Sequence, residues 1–318
     1  MNSEAANAVA PGSPANGAVG PGSGPKSASD NLVGAAWILA SGLAATALYV
    51  AVETLSQTLS TQMIAFLRTL LGLWVLAPMA FSGVLWRLRL TRPWLHLARG
   101  VLMGAALNLG FFALANLPLA TATILFFLAP IFVTALAGLL FRESVGPWRW
   151  GAVGVGFIGA LVILQPGAAP VNVAMLAAML CAACFSVALL LSRVIAREDG
   201  AQAVMATSTA VAAVVCLPVA LPVWRMPDTQ VEWLWVAVLV AASSLRMYAD
   251  IQAYAKGEAG FVAPFSYMRL LFVAAAGWWV FNQAPEPNAL IGGAVIVAAA
   301  LVIAYREAQI RRAAAPPS

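Results

Sequence analysis

Charge is what this sequence has least of. Of its 318 residues only 9% are Asp, Glu, Lys or Arg, while 62% are hydrophobic; a soluble chain carries roughly 25% charged residues. A water-facing surface cannot be covered from that supply, so a soluble globular domain is excluded. Histidine occurs once, as His96, so an H-E-x-x-H zinc site cannot be assembled, and no exposed Ser/His/Asp set is recognisable in the sequence. The three cysteines, Cys181, Cys184 and Cys216, all fall in apolar runs. Cys181 and Cys184 have CxxC spacing, but no second pair accompanies them. They are read as small polarizable packing residues, and neither a metal nor a cofactor is expected. A G-x-x-x-x-G-K-[ST] loop is missing too, which argues against an ATP-driven pump, and no reading as an enzyme is favoured.

What the chain has is long apolar runs, with a mean hydropathy of +0.89. A hydrocarbon core about 30 Å thick needs roughly 20 apolar residues in a helix. Barrel strands would alternate and be about half as long, so the runs predict helices. Ten spans are expected, at 32–52, 62–81, 95–115, 119–141, 150–164, 171–192, 203–223, 231–254, 260–281 and 289–305. The fold class is therefore an all-α membrane protein with ten transmembrane helices. Residues 1–30, rich in Pro, Gly, Ser, Ala and Asn, cannot bury enough surface to order themselves and are expected to form a disordered tail. They show no basic segment followed by an apolar one, so no cleavable leader is expected. Residues 308–318 form a second short tail.

The few charges that exist are unevenly placed. Lys26, Arg87, Arg89, Arg92, Arg99, Arg142, Arg149, Arg193, Arg197, Lys256, Arg306, Arg311 and Arg312 fall on one side of the spans, and Arg225 alone on the other. This asymmetry predicts that both termini are cytoplasmic. It also accounts for the net charge of +5 without a nucleic-acid partner.

The chain also repeats itself. Shifting it by 140 residues lays Leu119–Leu164 on Ala259–Ala304: Phe132 meets Phe272, Val133 meets Val273, Phe141 meets Phe281, Pro147 meets Pro287, and Ala160–Ile163 meets Ala300–Ile303. The shared layout is helix, short proline-bearing loop, helix. With an odd number of spans per unit, the two copies run in opposite directions through the membrane. The expected domains are two inverted five-helix repeats, 31–166 and 167–307, flanking a central site as in many secondary transporters.

The paired stretches Arg99–Val145 and Ala253–Glu307 resemble the two EamA-type halves of the drug/metabolite transporter superfamily. The likeness runs from about residue 33 to 307. It implies a multi-pass inner (plasma) membrane carrier that moves a small organic solute by alternating access. The block Ala263-Pro264-Phe265-Ser266-Tyr267-Met268-Arg269 is similar to that of the S-adenosylmethionine and riboflavin carrier subset, an analogy that does not itself name a substrate. One position departs from the pattern: the Glu usual after the fourth and ninth spans is present as Glu143 but is Gln283 in the second half.

Four charges lie within spans: Arg68, Arg246, Asp250 and Arg269. A charge at a helix centre costs about 2.5–3.5 kcal/mol on insertion scales. Ser243, Arg246, Asp250 and Tyr254 are spaced three, four and four apart, which puts them on one face of the eighth span. Counting outward from the turn near Gly257 sets Arg269 level with Arg246, with Asp250 able to bridge either. The expected substrate-binding residues are thus Arg68, Ser243, Arg246, Asp250, Tyr254, Phe265, Tyr267 and Arg269, the two aromatics serving to stack against a ring. The competing reading is a helix–helix staple or snorkelling from helix ends, and for Arg68 a pairing with Glu53. Three arginines against one aspartate favour an anionic or zwitterionic substrate, and Asp250 is the acidic group deep enough for proton coupling. Pro130 and Pro264 are candidate kinks for gating. Glycine rows at Gly151, Gly154, Gly156 and Gly159, and at Gly292 and Gly293, predict packing seams, within one copy or between two in a homodimer. The rival classes are a channel and an intramembrane receptor or enzyme.

Overall fold

A computed structural model describes residues 28–75, 90–141, 147–164, 172–257 and 262–314, and every regular element among them is helical. In chain order these are α1 (Ala28–Ser56), α2 (Thr61–Val75), α3 (Pro93–Asn116), α4 (Leu119–Phe126), α5 (Ala129–Phe141), α6 (Pro147–Leu164), α7 (Val173–Ala220), α8 (Gln230–Lys256), α9 (Met268–Phe281) and α10 (Pro287–Ala314). Short 3-10 turns at Leu221–Val223 and Ala263–Tyr267 follow α7 and precede α9. Six stretches among the described residues are long and apolar enough to cross a membrane, and three shorter apolar helices accompany them. The second expected span is described only as far as Val75, and Arg87, Arg89, Arg142 and Glu143 lie outside the described residues, as do 1–27 of the expected N-terminal tail. Helix α1 already begins at Ala28, and α10 continues to Ala314.

Two elements do not map one to one onto the expected spans. Residues 119–141 were expected as one helix, but the chain turns at Phe127 and Leu128 between α4 and α5. Pro130 follows at once; lacking an N–H, it cannot bond back to Phe126. The Ala129 carbonyl at the break accepts the Ser186 hydroxyl at 2.9 Å. Conversely, α7 holds two spans joined at Gly200, whose φ of 82° is a left-handed conformation that a side chain would resist.

Side chains on the outer faces of the bundle are apolar. Trp278, Trp279, Leu161 and Ile291 are all more than half exposed, which suits a hydrocarbon solvent and would be a liability in water. The core is filled by Leu55, Met63, Ile64, Leu67, Leu114, Leu119, Leu125 and Leu239, each essentially inaccessible.

The helix pairs follow the 140-residue relation. Helix α1 lies along α8, and the pair related to it, α3 with the first limb of α7, is also in contact. There Gly110 meets Cys181, and Arg99 donates to Ser192. Helix α2 packs on α7, α4 on α9, and α6 on α10. The α6–α10 seam is a close backbone approach: a methyl group on Gly292 would sit 2.6 Å from the Gly159 carbonyl oxygen. Gly156 and Gly293 are closed in by Ile131 of α5 and Ile124 of α4, whereas Gly151 and Gly154 face open space. Within one copy, Gly159 and Gly292 therefore build the α6–α10 seam, and Gly156 and Gly293 let these helices approach α5 and α4. Substituting Gly292→Ala must push the helices apart, a strain of about 1–3 kcal/mol typical of overpacking. Thermal unfolding in detergent should show G292A melting below the parent, and G154A melting with it.

Candidate functional site

Four helices open a cavity of about 340 Å³ between them. Each lines it with one helical stripe: Arg68, Thr69 and Gly72 from α2; Arg99, Met103 and Leu107 from α3; Met205, Ser208, Thr209 and Ala212 from the second limb of α7; and Ser243, Arg246, Met247, Asp250 and Ile251 from α8. The spacings of three and four are those of residues sharing a helix face. Five pairs of these residues lie 140 apart in sequence: Arg68 and Ser208, Thr69 and Thr209, Gly72 and Ala212, Met103 and Ser243, Leu107 and Met247. The shift found from residues 119–164 thus also relates the two walls of the cavity.

The cavity occupies the half of the bundle nearer the start of α1 and the end of α8, the face predicted to be cytoplasmic. Toward the other ends of α1, α3 and α8, Leu55, Leu114 and Leu239 are buried in the hydrophobic core.

Arg68 is buried in the cavity wall, and its Nε has no hydrogen-bond partner among the described residues. No ion pair to Glu53 is formed there, so that alternative does not describe the structure. Arg246 also lines the cavity, with its Nε 3.9 Å from Asp250 Oδ2 and without a hydrogen-bond partner among the described residues. Asp250 is held from the other side, because the Ser41 hydroxyl of α1 donates to its Oδ1 at 2.5 Å. The hydroxyls of Ser243 and Ser244 donate to Val240 O of their own helix, leaving their oxygens able to accept.

The remaining expected residues stand elsewhere. Arg269 opens α9 with its backbone against Gly42 of α1, and it is not among the residues lining the cavity. The Tyr267 ring packs on Phe127, 5.1 Å between centroids, at the α4–α5 break. Phe265 packs with Trp37, Ile38 and Val262 in a small apolar cluster. Tyr254 follows Asp250 by four positions on α8, and its side chain lies outside the described set. Pro264 sits in the 3-10 turn before α9, and Pro130 just after the break in the fourth span.

Two polar groupings were not anticipated. Arg99, counted in the sequence as a loop charge, is a wall residue; its Nε donates to Ser192 Oγ at 2.6 Å and its Nη1 to Val204 O at 3.3 Å. Both acceptors are neutral, so its charge is not offset. One turn before it, His96 is buried, with Nδ1 2.7 Å from Thr207 Oγ1 and Nε2 2.9 Å from Asp199 Oδ2. Asp199 also accepts the Thr91 amide at 3.1 Å and the Thr91 hydroxyl, and Arg92 pairs with Glu198 at 3.0 Å. This cluster ties the start of α3 to the bend of α7 beside the cavity.

At the opposite face Gln283, the departure from the expected Glu, joins three elements. Its Nε2 donates to Glu53 Oε1 of α1 at 3.2 Å, and its Oε1 accepts the Leu119 amide at the start of α4 at 3.0 Å.

Comparison with known proteins gives the following. The model of the EamA-like transporter family matches twice, at residues 32–165 and 172–305. An S-adenosylmethionine uptake transporter of Rickettsia felis is 30% identical over 276 residues, 87% of this chain and 94% of that one. A riboflavin transporter of Vibrio cholerae is 31% identical over 289 residues, 88% and 96% of the two chains. A pseudopaline exporter of Pseudomonas aeruginosa is 28% identical over 257 residues, 79% and 89%. A solved crystal structure is similar in fold, with a TM-score of 0.59 at 22% identity over 90% of this chain and all of the other.

The Thr91 hydroxyl, followed by His96, holds the Asp199 carboxyl below its ordinary value of 3.8. A carboxyl lowered in the folded state adds stability that is complete above its unfolded pKa and disappears as pH falls through the folded one. The parent protein should therefore lose stability as pH drops below about 4. D199N should lack that component, its melting temperature falling less steeply over the same range.

Proposed function

The chain belongs to the EamA-like transporter family, is a multi-pass inner-membrane protein, and from that premise we propose that it carries a small organic metabolite bearing an anionic or zwitterionic group by alternating access. Uptake and export carriers among its relatives establish transport as the common activity, and an enzyme is not supported. In this reading the ten spans form two inverted five-helix halves with both termini in the cytoplasm. The crossed helix pairing and the five residue pairs 140 apart support it, since a cavity placed between related halves can be offered to either face by rocking one against the other. The leucine-rich core toward one end, with open space at the other, is the arrangement expected of a carrier facing the cytoplasm.

The observation that carries the substrate's chemistry is the pair Arg68 and Arg246. Both guanidiniums border the cavity with an Nε that no group among the described residues takes up. A buried donor left unsatisfied is costly, and a carboxylate or phosphate oxygen is the acceptor a guanidinium suits best. Asp250 acts as the resident counter-ion, steadied by Ser41 so that Arg246 remains able to turn to a ligand. A small-molecule substrate and the bilayer are the partners this requires; a homodimer is not needed to complete the site.

Purified protein in proteoliposomes should show saturable counterflow of carboxylates or phosphates. Arg68→Gln and Arg246→Gln should each raise the half-saturating concentration roughly 10–100-fold, as expected for one lost charge-assisted hydrogen bond. Transport restricted to cations would overturn the anionic reading, and unsaturable flux without counterflow would make the protein a channel.

A further inference from the structure

The cavity holds more positive charge than one carboxylate or one zwitterion can neutralise. Arg68, Arg99 and Arg246 border it, and Asp250 is the single acidic residue among its lining. Three guanidiniums against one carboxylate leave two positive charges. The neutral partners of Arg99, a serine hydroxyl and a backbone carbonyl, do nothing to reduce this. Asp250 is also partly committed, since one oxygen takes the Ser41 hydroxyl and the other faces Arg246. It is poorly placed to receive the ammonium group of an amino acid.

While the cavity is open, water and small ions screen that surplus. Alternating access requires the cavity to close, and closure removes the screening. What remains inside must then carry the compensating charge. Resting on the anion-carrier reading above, we propose that the preferred substrate is an organic dianion, a phosphate monoester or a dicarboxylate, held between Arg68 and Arg246 and balanced by Arg99. The two Nε groups of Arg68 and Arg246 supply unpartnered donors, and Arg99 supplies the second unit of charge. The hydroxyls of Ser208, Thr209 and Ser243 on the facing walls complete a polar surround. The methionines Met103, Met205 and Met247 leave the rest of the cavity apolar and adaptable, which suits a solute whose remainder is an organic ring or chain.

The test compares matched pairs on the full-length protein in proteoliposomes: riboflavin 5′-phosphate against riboflavin, and succinate against its monomethyl ester. Competition with counterflow is read for each, and thermal shift of the detergent-purified protein is read alongside. The first pair reports on phosphate monoesters and the second on dicarboxylates. The dianion of at least one pair should compete at a concentration roughly tenfold lower than its partner, the effect of one charge-assisted contact. In Arg99→Gln, which leaves Arg68 and Arg246 in place and reduces the surplus to one, that preference should shrink or reverse toward the monoanion. A wild-type protein that takes monomethyl succinate or a zwitterionic amino acid as well as either dianion overturns this inference and leaves the anion-carrier reading standing. Binding of cations or neutral solutes alone overturns both. Should R99Q fail to fold, the wild-type comparison decides by itself.

Discussion

Guanidinium groups that cannot reach bulk water on the far side of the membrane are the constraint around which this molecule is built. With hydrocarbon on the outside and a leucine-rich core within the bundle, the cavity is where Arg68 and Arg246 can find an acceptor besides Asp250. The apolar sheath is what makes that constraint severe, because in water the same arginines would be hydrated at little cost. Each helix that borders them contributes a stripe of small, hydroxylated or flexible residues, and Gly72 and Ala212 keep the space open where a larger side chain would fill it. An apolar filling in place of these charges would often leave the bundle as stable or more so.

The repeat explains why the cavity lies where it does, and its departures from symmetry explain its chemistry. Thr69 and its counterpart Thr209 both line the cavity, as do Gly72 and its counterpart Ala212, so this part of the wall is chemically alike in either half. The charges are not shared. Arg68 is answered by Ser208, and the positions 140 before Arg246 and Asp250 are Ala106 and Gly110. Related backbones supply the two walls, while unrelated side chains give the space between them a sign of charge.

How much of this the sequence disclosed depended on the range of the interaction. The face of α8 that carries Ser243, Arg246 and Asp250 was legible because helical spacing is local and strict, and the structure turns that face to the cavity. Arg269, Phe265 and Tyr267 were placed by assuming a plain antiparallel hairpin after Gly257. The chain instead enters α9 through a 3-10 turn, with Phe265 packed on α1, Tyr267 on Phe127 at the α4–α5 break, and the Arg269 backbone against Gly42 of α1. Arg99 was hidden by its own charge, which reads as an orientation signal near a helix end; its stripe with Met103 and Leu107 was the clue that went unused. The union of His96 with Asp199 spans 103 residues, and no periodicity reports a contact of that kind. The proline after the break was written in the sequence, but whether a membrane helix bends or parts there depends on neighbours such as Ser186, whose hydroxyl bonds the Ala129 carbonyl beside it.

Gln283 shows the same dependence on context from the opposite direction. Read against the pattern of paired glutamates, it looks like a lost charge. In place, it needs both a donor and an acceptor, for it gives an N–H to Glu53 and takes one from Leu119. A carboxylate there could accept the Leu119 amide but would set a second negative charge against Glu53, which is only 7% exposed. The amide removes that repulsion and adds a bond between the first and second halves on the face away from the cavity. A neutral, two-sided link of this sort joins the two halves on that face through hydrogen bonds of moderate strength, without an ion pair.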